Sequence, residues 1–192
     1  MKIVLGSTSP FRKALLERLQ IEFTCDSPNI DEAPLKNETV EDMVVRLAIA
    51  KAQAVSANHS DALIIGSDQS AVLDNEKLSK PGNFENAFKQ LTRASGKSIT
   101  FQTGLCLLNT RTGNIQSACI PYTVVFKTLT PTMIENYLHK EEPDNCAGSF
   151  KSEALGIALF ERFEGNDPNA LIGLPLIKLV NFLNNEGFSI LG

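Results

Sequence analysis

The sequence predicts a mixed α/β fold, a strongly twisted sheet with flanking helices. Two observations carry that expectation. Short apolar runs of strand character alternate along the chain with segments whose apolar residues recur at helical spacing. Two longer β-rich segments flank the stretch Asn109-Thr110-Arg111-Thr112-Gly113-Asn114, a hairpin signal.

The elements follow in order. Lys2 to Gly6 is a short apolar run and reads as the first strand. Ser7-Thr8-Ser9-Pro10 then opens a helix, with Ser9 as N-cap, Pro10 at the first helical position and Leu15, Leu16 and Leu19 as its apolar stripe. Ile21 to Cys25 reads as a second strand, and Asp26 to Asn37 as a polar loop. The next helix begins at Thr39, with Asp42 in a capping-box position, and runs to about Ala57. Ala62 to Gly66 reads as a buried strand ending in Ser67-Asp68-Gln69. Phe84 to Ala94 is helical, with Gly96 at its end. The hairpin strands are Ile99 to Leu108 and Ile115 to Thr128. Thr130-Pro131 starts a helix carrying Ile134, Tyr137 and Leu138. Gly156 to Phe163 reads as a strand, and Pro175 to Glu186 as the last helix, stopped by Gly187.

Composition bounds the rest. With 192 residues, 43% hydrophobic and 21% charged, folding should bury roughly 70% of the unfolded surface. The expectation is a single domain over residues 1–192, or two lobes of one fold. Eighteen basic against 22 acidic residues give a net charge of −4, which disfavours a general nucleic-acid binder. Met1 to Ser7 is too short to be a signal peptide, and no apolar run approaches the roughly 20 residues of a membrane span. Cys25, Cys106, Cys119 and Cys146 form no C-x-x-C pair, so reduced thiols and a cytoplasmic location are expected. With only His59 and His139 available, a metal would sit on oxygen ligands.

Several residues stand out chemically. Ser7, Ser9, Arg12 and Lys13 gather hydroxyls, free backbone N–H groups and cations at one helix start, a ready anion site. Lys51 shares a helical stripe with Val44, Leu47, Ala48 and Val55, where an apolar residue belongs. A snorkelling lysine at the edge of a buried face is the plain alternative. Asp68 follows an apolar strand, near where α/β sheets bind ligands. Glu32 and Lys80 are individually ordinary loop charges. As a set, Arg12, Lys51 and Lys80 suit a polyphosphate, while Glu32 and Asp68 suit a divalent metal and an oriented water. No P-loop or G-x-S-x-G motif offers another chemistry.

Ser7-Thr8-Ser9-Pro10-Phe11-Arg12, Asp31-Glu32, Ala50-Lys51-Ala52, Gly66-Ser67-Asp68-Gln69, Lys80-Pro81 and Gly148-Ser149-Phe150-Lys151-Ser152-Glu153 together resemble the Maf family of nucleoside triphosphate pyrophosphatases. Gly165-Asn166-Asp167-Pro168-Asn169 and Gly173-Leu174-Pro175-Leu176 resemble its C-terminal signature. The resemblance implies an elongated, two-lobed fold related to the inosine-triphosphate pyrophosphatases, with a central cleft. It also implies a homodimer that releases pyrophosphate from a nucleotide with Mg²⁺ or Mn²⁺. Asp68 would be the base, Glu32 and Asp68 the metal ligands, and Arg12, Lys51 and Lys80 the neutralising cations. Ser7, Phe11, Lys13, Gln69 and Glu153 would bind substrate.

Phe11, Gln69 and Glu153 depart from the commonest family pattern and resemble the branch that hydrolyses 7-methyl-GTP, a non-standard nucleotide. The physics agrees. N7-methylation leaves a cation on the guanine, which an aromatic face stacks on better by about 0.5–2 kcal/mol. Glu153 would accept from guanine N1–H and N2–H and offset that charge. The rival readings are a dTTP/UTP preference within the same family, and a non-catalytic nucleotide sensor that regulates cell division.

Overall fold

The computed structural model describes residues 1–143 and 146–192. Among them are seven strands and five α-helices: β1 Lys2–Gly6, α1 Pro10–Glu17, β2 Phe23–Asp26, α2 Val40–Ser56, β3 Ala62–Leu73, β4 Glu76–Leu78, α3 Phe84–Ala94, β5 Ser98–Asn109, β6 Ile115–Phe126, α4 Pro131–Glu141, β7 Phe160–Gly165 and α5 Leu176–Asn185. The sheet runs β2-β1-β3-β5-β6-β7, with β4 paired to β3. β1 is parallel to both β2 and β3, whereas β3–β4 and β6–β7 are antiparallel. The mixed α/β class is therefore observed.

The helix starts follow the capping chemistry of their own residues. Ser9, Thr39 and Thr130 accept from the backbone N–H of Arg12, Asp42 and Met133 respectively. The Asp42 carboxylate returns the favour to Thr39 Oγ1, which donates to it at 2.8 Å. Two strands differ from the sequence expectation. β3 does not stop at Gly66 but continues to Leu73, where Asp74 and Asn75, at φ 53° and 64°, turn the chain into β4. Two left-handed residues in succession are what a tight hairpin needs, and Asp and Asn tolerate that region. Gly156 does not begin a strand either. Leu155–Leu159 is a 3₁₀ turn, with the Ile157 N–H on the Ala154 carbonyl and the Phe160 N–H on that of Ile157, and β7 starts only at Phe160. A further 3₁₀ turn spans Pro168–Ile172.

The chain divides into two compact units: residues 1–69, 102–120 and 167–192 in the first, residues 70–101 and 121–166 in the second. In the first, the two-residue period of the strands sorts the core onto two faces. Ile3, Leu5, Leu63, Ile65, Leu105 and Leu107 pack against Leu15 and Leu16 of α1 and Leu179, Phe182 and Leu183 of α5. Val4, Ala62, Ile64, Cys106 and Leu108 point the other way, onto Ala48, Ala52 and Val55 of α2. The second unit is held by an aromatic cluster in which Phe150 meets Phe101, Phe126 and Phe160 at centroid distances of 5.5, 5.6 and 4.8 Å. Among the described residues no helix is long and apolar enough to cross a membrane.

Candidate functional site

Two strands clear a path for α2. A Cβ at Gly66 would lie 2.1 Å from the Ala48 carbonyl oxygen, and one at Gly104 would lie 2.0 Å from that of Val44. Only glycine lets the helix backbone come this close. The approach brings Lys51, one turn beyond Ala48, down onto the sheet. Lys51 is buried with the rest of its stripe.

Its partner is supplied by strand parity. Ala62, Ile64 and Gly66 face α2, so Asp68 faces it too. Lys51 Nζ donates to Asp68 Oδ1 at 2.6 Å, and both side chains are about nine-tenths buried or more. The same nitrogen lies 2.7 Å from Glu32 Oε1. Asp68 sits inside β3 and not at its end. The parallel ladder with β1, however, closes at the pair Gly6–Gly66, so Asp68 still lies just past the carboxyl end of the parallel strands.

Glu32 is delivered by a braced loop. Arg46 of α2 forks onto Glu38 through Nε and Nη2, at 2.5 and 2.8 Å, and Nη2 also donates to the Ala33 carbonyl at 3.1 Å. The Leu35 N–H adds a bond to Glu38, and Arg46 foremost holds the Glu38 carboxyl down at about 2. Asp31 closes an Asx turn on the Ala33 N–H. Arg46 and Glu38 escaped the sequence reading, because nothing in their eight-residue spacing marks a pair.

Arg12 completes the charged group. Its Nε donates to the Gly173 carbonyl at 2.8 Å. Burial pulls its guanidinium below the ordinary value, against the opposing charges of Asp68 and Glu32. The odd-numbered side of β3 meets the same C-terminal segment. Ser67 Oγ lies 2.8 Å from the Gly173 carbonyl and 2.9 Å from that of Gly104. Gln69 Nε2 donates to the carbonyls of Ala170 and Leu171 and to Thr103, so its amide nitrogen is engaged within the fold. Ser67 and Gly173 were visible only as parts of motifs, without a role.

The remaining candidates are more open. Ser7 is buried and accepts from the Ser9 N–H at 3.1 Å. Phe11 is 44% exposed, so it is not a core residue. Lys13 forms a 3.8 Å surface pair with Glu17. In the second unit, Lys80 and Glu153 are both exposed, and both act electrostatically on Cys146, whose thiol burial pushes up. Glu153 accepts from Ser152 Oγ at 3.2 Å. The structure thus brings Arg12, Glu32, Lys51 and Asp68 together in one unit, and Lys80 and Glu153 into one neighbourhood of the other.

Two carboxylate oxygens on one ammonium form an all-oxygen donor pair, which suits a hard divalent cation that takes its other ligands from phosphates and water. Among the described residues no group of three or more His, Cys, Asp or Glu could hold a metal by itself.

A phosphate-suited cation set beside paired carboxylates, on a mixed α/β sheet, defines a candidate phosphoanhydride site. The Maf-like protein family model matches residues 2–186, and the chain belongs to that family. It is 56% identical over 189 residues to the 7-methyl-GTP pyrophosphatase of Colwellia psychrerythraea, covering 98% of this chain and 94% of that one. It is 54% identical over 188 residues to the 7-methyl-GTP pyrophosphatase of Pseudomonas syringae, covering 98% of each. Among solved structures, that of the Staphylococcus aureus Ham1 protein aligns with a TM-score of 0.49 at 14% identity, over 97% of this chain and 100% of that one.

Proposed function

We propose that the chain is a nucleoside triphosphate pyrophosphatase that converts 7-methyl-GTP to 7-methyl-GMP and pyrophosphate. The observation that carries this reading is the buried Lys51, held between Asp68 and Glu32. Such an arrangement costs desolvation energy that a purely structural helix face would avoid with an apolar residue. The names of the relatives that match over nearly the full chain support the substrate.

Hydrolysis joins a water oxygen to the α-phosphorus and breaks the bond from that phosphorus to the bridging oxygen, so that pyrophosphate leaves. Asp68 takes the proton of the attacking water. Lys51 keeps the Asp68 and Glu32 carboxylates side by side. Arg12, Lys51 and Lys80 neutralise the charge that builds on the bridge and on the leaving group. Asp68 and Glu32 would hold Mg²⁺ or Mn²⁺, which supplies Lewis-acid polarisation and alignment of the phosphates when bound. Ser7 and Lys13 lie toward the phosphates at the α1 start. Phe11 stacks on the methylated base, Glu153 accepts from its N1–H and N2–H, and Gln69 supports the binding surface through the Pro168–Ile172 turn. The working protein is proposed to be a single Maf-like domain, a homodimer, and cytoplasmic.

The test is pyrophosphate release from 7-methyl-GTP, GTP, dTTP and UTP, with Mg²⁺ and with excess chelator. The reading predicts the highest kcat/KM on 7-methyl-GTP and loss of turnover in chelator. A higher kcat/KM on dTTP or UTP overturns the substrate, and no release from any nucleotide overturns the enzyme.

A further inference from the structure

We propose that Gln90 is a positioning residue that fixes both the lysine loop and the base-reading loop of the second unit. The inference rests on the roles proposed above for Lys80 and Glu153. Gln90 lies on α3, and both ends of its amide are engaged. Nε2 donates to the Ser79 carbonyl at 2.9 Å, and Oε1 accepts from Ser149 Oγ at 2.6 Å. A carbonyl can only accept, so the amide orientation is set by its partners.

On one side, Gln90 works with Asn86, one helical turn earlier, whose Nδ2 donates to the Pro81 carbonyl at 3.0 Å. The residues immediately before and after Lys80 are therefore both tied to α3. The Lys80 side chain is exposed, while its backbone is held on both sides by these two bonds.

On the other side, Ser149 is fully buried and has a φ of +64°, with Gly148 before it at +79°. A left-handed serine persists only where its surroundings over-determine it. Here Phe150 anchors the following residue in the aromatic cluster, and Gln90 Oε1 accepts the hydrogen bond donated by the serine hydroxyl. The loop then runs through Lys151, whose N–H donates to the Tyr137 hydroxyl at 3.1 Å, to Glu153. One neutral side chain thus references two loops to the same helix. A residue that only filled space would need neither a donor nor an acceptor at this place.

Three variants separate the two bonds. Gln90→Met removes both. Gln90→Glu keeps an acceptor for Ser149 but sets a carboxylate oxygen against the Ser79 carbonyl. Ser149→Gly removes the hydroxyl and suits the positive φ, so it does not strain the fold. Backbone hydrogen exchange of the full chain reads the loops without any substrate. Gln90→Met should raise exchange at least about fivefold, the worth of one hydrogen bond, in both 79–82 and 148–153. Gln90→Glu should do so only in 79–82, and Ser149→Gly only in 148–153.

Kinetics supply the functional readout. Gln90→Glu should lower kcat by at least about tenfold with the ratio of kcat/KM for 7-methyl-GTP over GTP unchanged, whereas Ser149→Gly should lower that ratio by at least about fivefold. Unchanged exchange in either segment of Gln90→Met overturns the inference, as does loosening of both segments together in each of the other two variants. If the wild type shows no preference for the methylated base, the base reading fails, and the exchange pattern still decides the role of Gln90.

Discussion

Lys51→Met replaces a buried ammonium by an apolar chain of similar length. Judged by the stripe alone the change is benign, because Val44, Leu47, Ala48 and Val55 are all buried around it. Its partners reverse that expectation. Asp68 is 7% exposed and its oxygen lies 2.6 Å from the lysine nitrogen, so the variant strands a poorly hydrated carboxylate. Breaking a buried pair from one side costs about 3–5 kcal/mol. The Glu32 side chain is 57% exposed, so its 2.7 Å contact adds little. The lower end, about 3 kcal/mol, is expected, or about 6–12 °C in Tm for a chain of this size. Urea denaturation followed by circular dichroism at neutral pH measures it. Lys51→Met/Asp68→Asn should recover most of the deficit, because the second change removes the uncompensated charge. Turnover should fall at least about 100-fold in the single variant. A Lys51→Met protein as stable as wild type at neutral pH would refute the ion-pair argument, and one with undiminished turnover would refute the catalytic role.

Gly66→Ala would place a methyl 2.1 Å from the Ala48 carbonyl, so it should lower stability by about 1–3 kcal/mol or more in a urea melt. Turnover should fall with it, since α2 carries Lys51. Glu38 should titrate near 2 by NMR. Its pairing with Arg46 stabilises the fold above the ordinary carboxylate range, and this contribution is lost progressively as the pH falls through that value. Arg46→Met should return Glu38 to the ordinary range and loosen 31–38 in hydrogen exchange. Phe11→Ala and Glu153→Gln should each reduce discrimination for 7-methyl-GTP over GTP by about 1–3 kcal/mol in kcat/KM. Their stability should be unchanged, because both side chains are exposed; equal losses on the two nucleotides would show that neither reads the methyl group.

The parts of the fold legible in the sequence are those whose causes are local. Ser9, Thr39 and Thr130 cap as their own chemistry requires, and the stripes of α1, α2 and α5 bury as their spacing requires. The strand extending through Ser67-Asp68-Gln69 was not legible, because a run of polar residues reads as an end. Those residues remain in a buried strand only because each has a partner far away in sequence: Gly104 and Gly173 for Ser67, Lys51 for Asp68, Ala170 and Leu171 for Gln69. The division into two units was equally hidden. It falls inside β3, between Gln69 and Ser70, where no linker composition could mark it.

Lys51 shows how far the sequence reaches toward the site. A cation on an apolar stripe announces that it needs an anion, and the chain offers 22 acidic residues. Parity narrows the choice. In β3 the even positions Ala62 and Ile64 pack on α2, and Gly66 is where the helix backbone touches the strand. The next even position is Asp68, and the next turn of α2 after Ala48 carries Lys51. The odd positions lead elsewhere, since Ser67 and Gln69 fasten the segment 170–173, whose last carbonyl holds Arg12. One four-residue motif therefore serves both faces of the sheet. Its even side presents the carboxylate to the lysine, and its odd side secures the backbone that positions the arginine. Gly-Ser-Asp-Gln reads as a unit in sequence because both tasks must meet at one place on β3, just past the end of β1.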